Sequence, residues 1–365
     1  MSEHKYWLGF SLVPEIGTKR ILNLLNKFGT LSSAWKANEA QLHQAGLEKQ
    51  PITNLLHFRQ KLDLERELAR IELVKARLIP LVDADYPSLL KQIADPPPVL
   101  YVRGTLTLQD ERALCIVGTR KASPAGRDTA RHIAQHLAKQ DLTIISGLAQ
   151  GIDEAAHRGA LEGGGRTIAV SACGIQAIYP EQNLELAHQI IESGAVITEF
   201  PIGTPPLRNN FPRRNRLMSG MALGVLVVEA PEKSGALITA GVAAEQGRDV
   251  FAIPGNILNP ASSGTNRLIQ DGAKLVMGVE DILNELNIAY TSVQTKTVTE
   301  TISPANDNEA KILKFLGADA IHIDEIVRQS GLAVPIVSST LTILELKGLA
   351  QMVGAMQYSL IHKRS

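Results

Sequence analysis

The sequence predicts an α/β protein: a parallel sheet covered by helices on both faces, with a helical segment before it and a small helical module after it. Three observations predict this. Between residues 79 and 288, short and nearly continuous apolar runs alternate with amphipathic stretches, as strands buried on both faces do. Residues 1–78 instead carry apolar stripes at helical spacing. Many of the strand-like runs end in turns rich in Gly, Ser and Thr, which places a candidate ligand site along one edge of the sheet.

In the first segment, Ile21-Leu22, Leu24-Leu25 and Phe28 form one apolar stripe, and Leu62 to Leu78 is a second periodic run. Leu12-Val13-Pro14-Glu15-Ile16-Gly17-Thr18-Lys19-Arg20 is similar to the helix-hairpin-helix pattern of DNA-binding modules, with Glu15 where that motif usually carries glycine. A turn within a small SAM-like helical bundle accounts for it equally well. Asp95-Pro96-Pro97-Pro98 and the extended run Val99 to Arg103 mark the start of the main domain. Its strands are Ala113 to Gly118, Leu142 to Ser146, Thr167 to Cys173, Ala195 to Phe200, Val225 to Glu229, Val250 to Ile253 and Leu275 to Met277. Helices are expected at Ala125 to Lys139, Asp153 to Leu161, Leu184 to Glu192 and Thr239 to Gly247.

Residues 289–306, Thr/Ser-rich and closed by Pro304, form a linker. In 307–365, helical runs at Glu309 to Phe315, Ile323 to Gln329 and Val337 to Lys347 precede an extended tail, Ala350 to Ile361. That is the outline of a winged helix. The helix after Ser330-Gly331-Leu332 offers no basic side chain before Lys347, so protein contact is expected of it rather than a firm grip on DNA.

The chain has 365 residues, 37 Lys+Arg against 37 Asp+Glu, and therefore no global field to attract a polyanion. Any such site must be a local patch. Cys115 and Cys173 both fall in apolar runs, as buried thiols of a reducing compartment do. Met1 to Tyr6 is polar, no apolar run reaches the ~18 residues of a membrane span, and a cytoplasmic location is expected.

The local patch is Leu207-Arg208-Asn209-Asn210-Phe211-Pro212-Arg213-Arg214-Asn215-Arg216: four arginines and no acid, read as a basic loop feeding the helix-compatible run Leu217 to Leu223. Guanidinium forks and helix N-termini both bind phosphate. Other turns offer further anion seats: Gly118-Thr119-Arg120-Lys121, Ser146-Gly147, Ser234-Gly235, Pro254-Gly255-Asn256 and Ser262 to Asn266. So many seats suit an extended anion. The dinucleotide and ATPase fingerprints are missing. Ser146, His157 and Asp153 could be drawn as a triad without the G-x-S-x-G elbow, but a structural Asp153–His157 pair at i, i+4 is the better reading. No catalytic set, metal site or cofactor is expected.

These residues, with Tyr179-Pro180, Thr198-Glu199-Phe200-Pro201 and Gly264-Thr265-Asn266, resemble the DprA/Smf family of bacterial DNA-processing proteins from about Asp83 to Met277. The resemblance implies an extended Rossmann-like core that dimerises, binds single-stranded DNA without sequence preference and hands it to the RecA recombinase in natural transformation. It also implies contacts from Arg120, Arg208, Phe211, Arg213, Arg214, Asn215 and Arg216, and from Ser234, Gly235 and Asn266. Ala125 stands where the family often has an aromatic. In the resulting mechanism Arg120, Arg208, Arg214 and Arg216 neutralise consecutive phosphates, Phe211 stacks on a base, and the turns at Gly118, Lys121, Ser146, Gly147 and Gly255 fix the backbone path. The alternative is a Rossmann-like phosphoribohydrolase of nucleoside monophosphates, with Glu245 helping to cleave the glycosidic bond.

Overall fold

The computed structural model describes residues 3–289, 306–317, 321–347, 349–354 and 356–360. The linker expected at 289–306 lies outside the described residues except for its first and last positions. Contacts divide the chain into two units, Met1–Thr291 and Ser292–Ser365.

Six helices open the first unit: His4–Leu12, Thr18–Phe28, Leu31–Lys36, Glu39–Gln44, Lys49–Lys61 and Leu64–Leu73. Their buried side chains, Phe10, Ile21, Leu24 and Leu55 among them, form one core with Leu78, Tyr101, Val102 and Ile197 of the sheet. The periodic run from Leu62 to Leu78 is not one helix. Lys75 adopts a left-handed φ of 53°, and the N–H groups of Lys75 and Ala76 fold back onto the carbonyls of Glu72 and Ile71. That satisfies the last carbonyls and stops the helix, so Leu78 falls in a strand.

Nine strands make the main sheet: β1 (Arg77–Pro80), β2 (Val99–Gly104), β3 (Ala113–Val117), β4 (Thr143–Ser146), β5 (Thr167–Val170), β6 (Ala195–Thr198), β7 (Gly224–Val227), β8 (Asp249–Ala252) and β9 (Lys274–Leu275). Their order is β1-β2-β6-β5-β4-β3-β7-β8-β9. Strands β3 to β9 are parallel; β2 runs antiparallel to β6, and β1 to β2. Thus Val99 to Arg103, read from sequence as extended chain ahead of the sheet, is a strand within it.

The core is Rossmann-like. Leu114 and Ile116 enter one apolar cluster while Cys115 and Val117 enter another, because alternate side chains of a strand point to opposite faces. From β3 the chain moves outward through β4, β5 and β6, then returns to the other side of β3 as β7. Parallel direction puts the carboxyl ends of β3 to β8 on one edge, with that reversal at its middle, where open α/β sheets form a crevice.

The second unit has helices Asp307–Leu313, Ile323–Ser330 and Val334–Leu346, and a sheet of β10 (Ile321–His322), β11 (Ala350–Gly354) and β12 (Gln357–Leu360) in the order β10-β12-β11. Ile312, Ile326, Leu341 and Leu344 form its core. This is a winged helix. No single described helix is long and apolar enough to cross a membrane.

Candidate nucleic-acid interface

Four connections at that edge line a cleft of about 370 Å³. Arg120 comes from the loop after β3, Gly147, Ala149 and Gln150 from the loop after β4, Tyr179 to Gln182 from the connection after β5, and Phe211 from the segment after β6. The Arg120 guanidinium lies 5.1 Å from the centre of the Phe211 ring, and the Tyr179 ring meets Phe211 edge-on at 6.1 Å. Arg120 is exposed, and among the described residues its guanidinium has no carboxylate or hydrogen-bond partner. Tyr179, 45% exposed, keeps a free face.

The loop after β4 is tightly held. The Gly147 N–H donates to Asp153 Oδ2 at 3.2 Å, and Asn183 Nδ2 donates to the Leu148 carbonyl at 2.9 Å. Leu148 is buried at a left-handed φ of 59°, a conformation that costs a non-glycine residue about 1 kcal/mol or more. At Gly151, φ is 86°, and a Cβ there would stand 2.5 Å from the Thr119 carbonyl. The β3 and β4 loops are therefore in contact.

Arg214 forms the floor. The helix begins at Asn210 rather than after the arginines, so the predicted basic loop is instead the first turns of helix Asn210–Gly220. This turns Arg214 inward, and it is 4% exposed. Its Nη1 donates to the Val170 carbonyl at 2.7 Å, its Nε donates to Asn215 Oδ1 at 3.1 Å, and its Cζ lies 5.9 Å from the Phe211 centroid. Burial lowers its pKa, and the nearby Asp153 charge opposes that; burial raises Asp153, with Arg214 opposing. Burial likewise pushes the Cys115 and Cys173 thiols up. Arg214 thus lies buried beneath the cleft with its guanidinium committed to a carbonyl, whereas the sequence reading expected it at the surface.

Two family descriptions match the chain: DNA recombination-mediator protein A over residues 77–287, and the DprA winged helix domain over 297–355. The first spans more than half of the sequence. The chain belongs to the DNA recombination-mediator protein A family. Protein Smf of Synechocystis is 36% identical to it over 98% of both chains. The X-ray structure of DNA processing protein A from Streptococcus pneumoniae superposes with a TM-score of 0.68 at 35% identity, covering 78% of this chain and 97% of that one. DNA processing protein A from Helicobacter pylori, described for its single-stranded DNA binding mode, gives 0.53 at 29% identity, over 58% of this chain and 96% of that one.

Several expected contacts lie elsewhere. Arg216 pairs with Glu199 and donates to the Asp95 carbonyl, so it lines a separate 620 Å³ groove with Arg213 and Asn210. Arg213 is 60% exposed, 5.0 Å over the Phe200 ring and 3.6 Å from Glu199. Asn215 is buried against Arg214, and Ser146 is buried with its Oγ donating to the Ile116 carbonyl at 2.6 Å. Gly118 packs against Ile152 and the Glu229 carbonyl. Lys121 and Arg208 remain exposed, with no side-chain partner among the described residues.

On the β7–β8 side, Ser234 caps helix Gly235–Glu245 by accepting from the Ala236 N–H, and Gly235 is exposed beside it. Asn266 is occupied: its amide accepts from the Gly255 N–H and donates to the Gly255 carbonyl. The expected Asp153–His157 pair does not form, because His157 Nδ1 bonds Thr167 Oγ1 at 2.7 Å while Asp153 turns to Gly147. Buried Ser146 and His157 leave no accessible triad. Glu245 closes its helix, about 15 Å from the phosphate-seat end at 1.5 Å per residue. The phosphoribohydrolase reading loses its carboxylate.

Sequence reasoning assigned no role to Tyr179, Gln150 or Gln182. A signal was present: Tyr179 is the one aromatic in the connection between β5 and the next helix, and adjacent parallel strands bring their loops together.

Proposed function

We propose that this protein binds single-stranded DNA without sequence preference in the Arg120–Phe211 cleft. As a recombination mediator it then loads RecA onto incoming strands during natural transformation. It works as a cytoplasmic homodimer and performs no catalysis. The observation that carries the reading is an unpaired guanidinium held over the Phe211 ring, with Tyr179 edge-on to that ring, on the carboxyl edge of the sheet. A phosphate meets Arg120, with Lys121 and Arg208 as further cations, while Phe211 and Tyr179 present ring surface to bases of any kind. Such stacking is sequence-tolerant and worth ~1–3 kcal/mol per base. The description of the Helicobacter pylori relative supports the same ligand.

The test is titration of labelled oligo-dT at several salt concentrations, with competition by unlabelled single strand and by duplex of equal length. Single strand should displace the label and duplex should not. Arg120→Ala should reduce the slope of log K against log salt by ~0.7, the share of one single-strand phosphate. Equal competition by duplex, or an unchanged slope, refutes the cleft. For the loading step, the protein should shorten the lag of RecA filament formation on the same oligonucleotide; an unaltered lag removes that part.

A further inference from the structure

The loop after β8 shows Ile257 and Leu258 to solvent, 88% and 85% exposed. Their exposure is not the slack of a loose loop. Asn266 clamps both backbone groups of Gly255, Asn256 Oδ1 accepts from the Leu258 N–H at 2.9 Å, and Asn259 Oδ1 accepts from the Ala261 N–H at 3.0 Å. The Asn259 N–H donates to the Asn256 carbonyl, and the Ala261 carbonyl accepts from the Ala230 N–H of the β7 loop. The fold thus spends ordered polar contacts to hold two aliphatic side chains away from every core cluster. Adjacent large apolar groups in a pinned turn mark a contact surface.

The sheet says where that surface lies. Strands β3, β7 and β8 are consecutive parallel neighbours, so their loops leave the same edge in that order. At a spacing of ~4.8 Å per strand, the β8 loop starts roughly 10 Å from the β3 loop that carries Arg120. A stacked strand advances about 3.4 Å along its axis per nucleotide, so this is a distance of a few nucleotides. Exposed Lys121 and Lys233 lie on the β3 and β7 loops between, without carboxylate partners among the described residues. Of the two acids on the β7 loop, Glu229 is turned inward onto Ser123, accepting from its N–H and Oγ, which leaves Glu232. The three cations Arg120, Lys121 and Lys233 outnumber it.

We propose that Ile257 and Leu258 form a second subsite, an aliphatic platform or wedge for bases of the same single strand a few nucleotides beyond the Arg120–Phe211 cleft. This rests on the single-strand reading of that cleft. Aliphatic side chains unstack and support bases without reading their edges, which suits a sequence-neutral ligand.

The experiment uses the full chain and labelled oligo-dT of increasing length, starting from the shortest that binds, with the double variant Ile257→Ser/Leu258→Ser. Both positions are exposed, so folding should be unaffected. The variant should match the parent on the shortest oligonucleotide and fall behind by about fivefold or more on longer ones, the lower end of one stacked base. Equal affinity at every length, or the same loss at every length, overturns the subsite. So does a shift from dimer to monomer in sedimentation, which would make the pair a contact between copies. If the parent binds no oligo-dT, the cleft reading itself has failed; if it binds and the variant equals it, only the platform has.

Discussion

Replacing Gly147 by alanine tests the floor of the cleft most directly. The Gly147 backbone lies outside the left-handed region, so alanine costs no backbone strain there. The side chain is the difficulty: a Cβ would stand 2.6 Å from Arg214 Nη2 and closer still to Cζ and Nη1. The guanidinium cannot simply withdraw, because Nη1 is tied to the Val170 carbonyl at 2.7 Å and Nε to Asn215. Overpacking of this kind costs ~1–3 kcal/mol, and a lost charge-assisted hydrogen bond in a buried site about 1.5–3 kcal/mol more. The expected loss of unfolding free energy is therefore on the order of 3–5 kcal/mol, or ~6–10 °C in melting temperature for a unit of this size. Gly235→Ala is the control, since nothing lies within 4 Å of its added Cβ; it should change stability by less than ~1 kcal/mol. Urea unfolding of both variants against the parent reads the difference. If Gly147→Ala matched Gly235→Ala, the claim that Arg214 is fixed beneath the cleft would be refuted.

Other outcomes follow from the same geometry. Phe211→Leu should weaken oligo-dT binding by about five- to a hundredfold, the value of one stacked base, and Phe211→Trp should restore most of it; equal binding by Leu and Trp variants would show that the ring does not stack. His157 is buried with its pKa pulled down to about 3 by desolvation and by the Arg214 charge. Its unfolded form takes up a proton near pH 6.5, so its contribution is fully present above that pH and is lost as pH falls from 6.5 toward 3. The full loss is on the order of 4–5 kcal/mol. Unfolding free energy measured across that window should slope less in His157→Gln than in the parent, and parallel slopes would contradict the assignment.

Much of the core was legible because its strands are buried on both faces and so appear as unbroken apolar runs. The antiparallel margin was less so: Val99 to Arg103 follows three prolines and looks like an approach segment until β6 supplies its partner. The basic run misled for a physical reason. Arginine repeated over two turns gives a helix no apolar stripe, and nothing local reveals that Arg214 will be buried with a carbonyl from β5 and a carboxylate from the helix after β4. Arg216 was misplaced in the same way, since Glu199 draws it to the opposite side of its own helix. That Arg120 and Phe211 belong to the candidate cleft was legible because a charged turn and an aromatic are informative by type; the placing of Tyr179 beside them required knowing which loops are neighbours.

The walls of the cleft hang from adjacent strands of one sheet, so their separation is fixed by backbone hydrogen bonding and cannot widen to suit a visitor. Whatever enters must do the bending. A double helix stays straight over ~150 base pairs and cannot fold its paired bases into such a cleft, whereas a lone strand turns at every nucleotide. On the single-strand function proposed above, selection against duplex would need no repulsive residue: mechanical stiffness would make the choice.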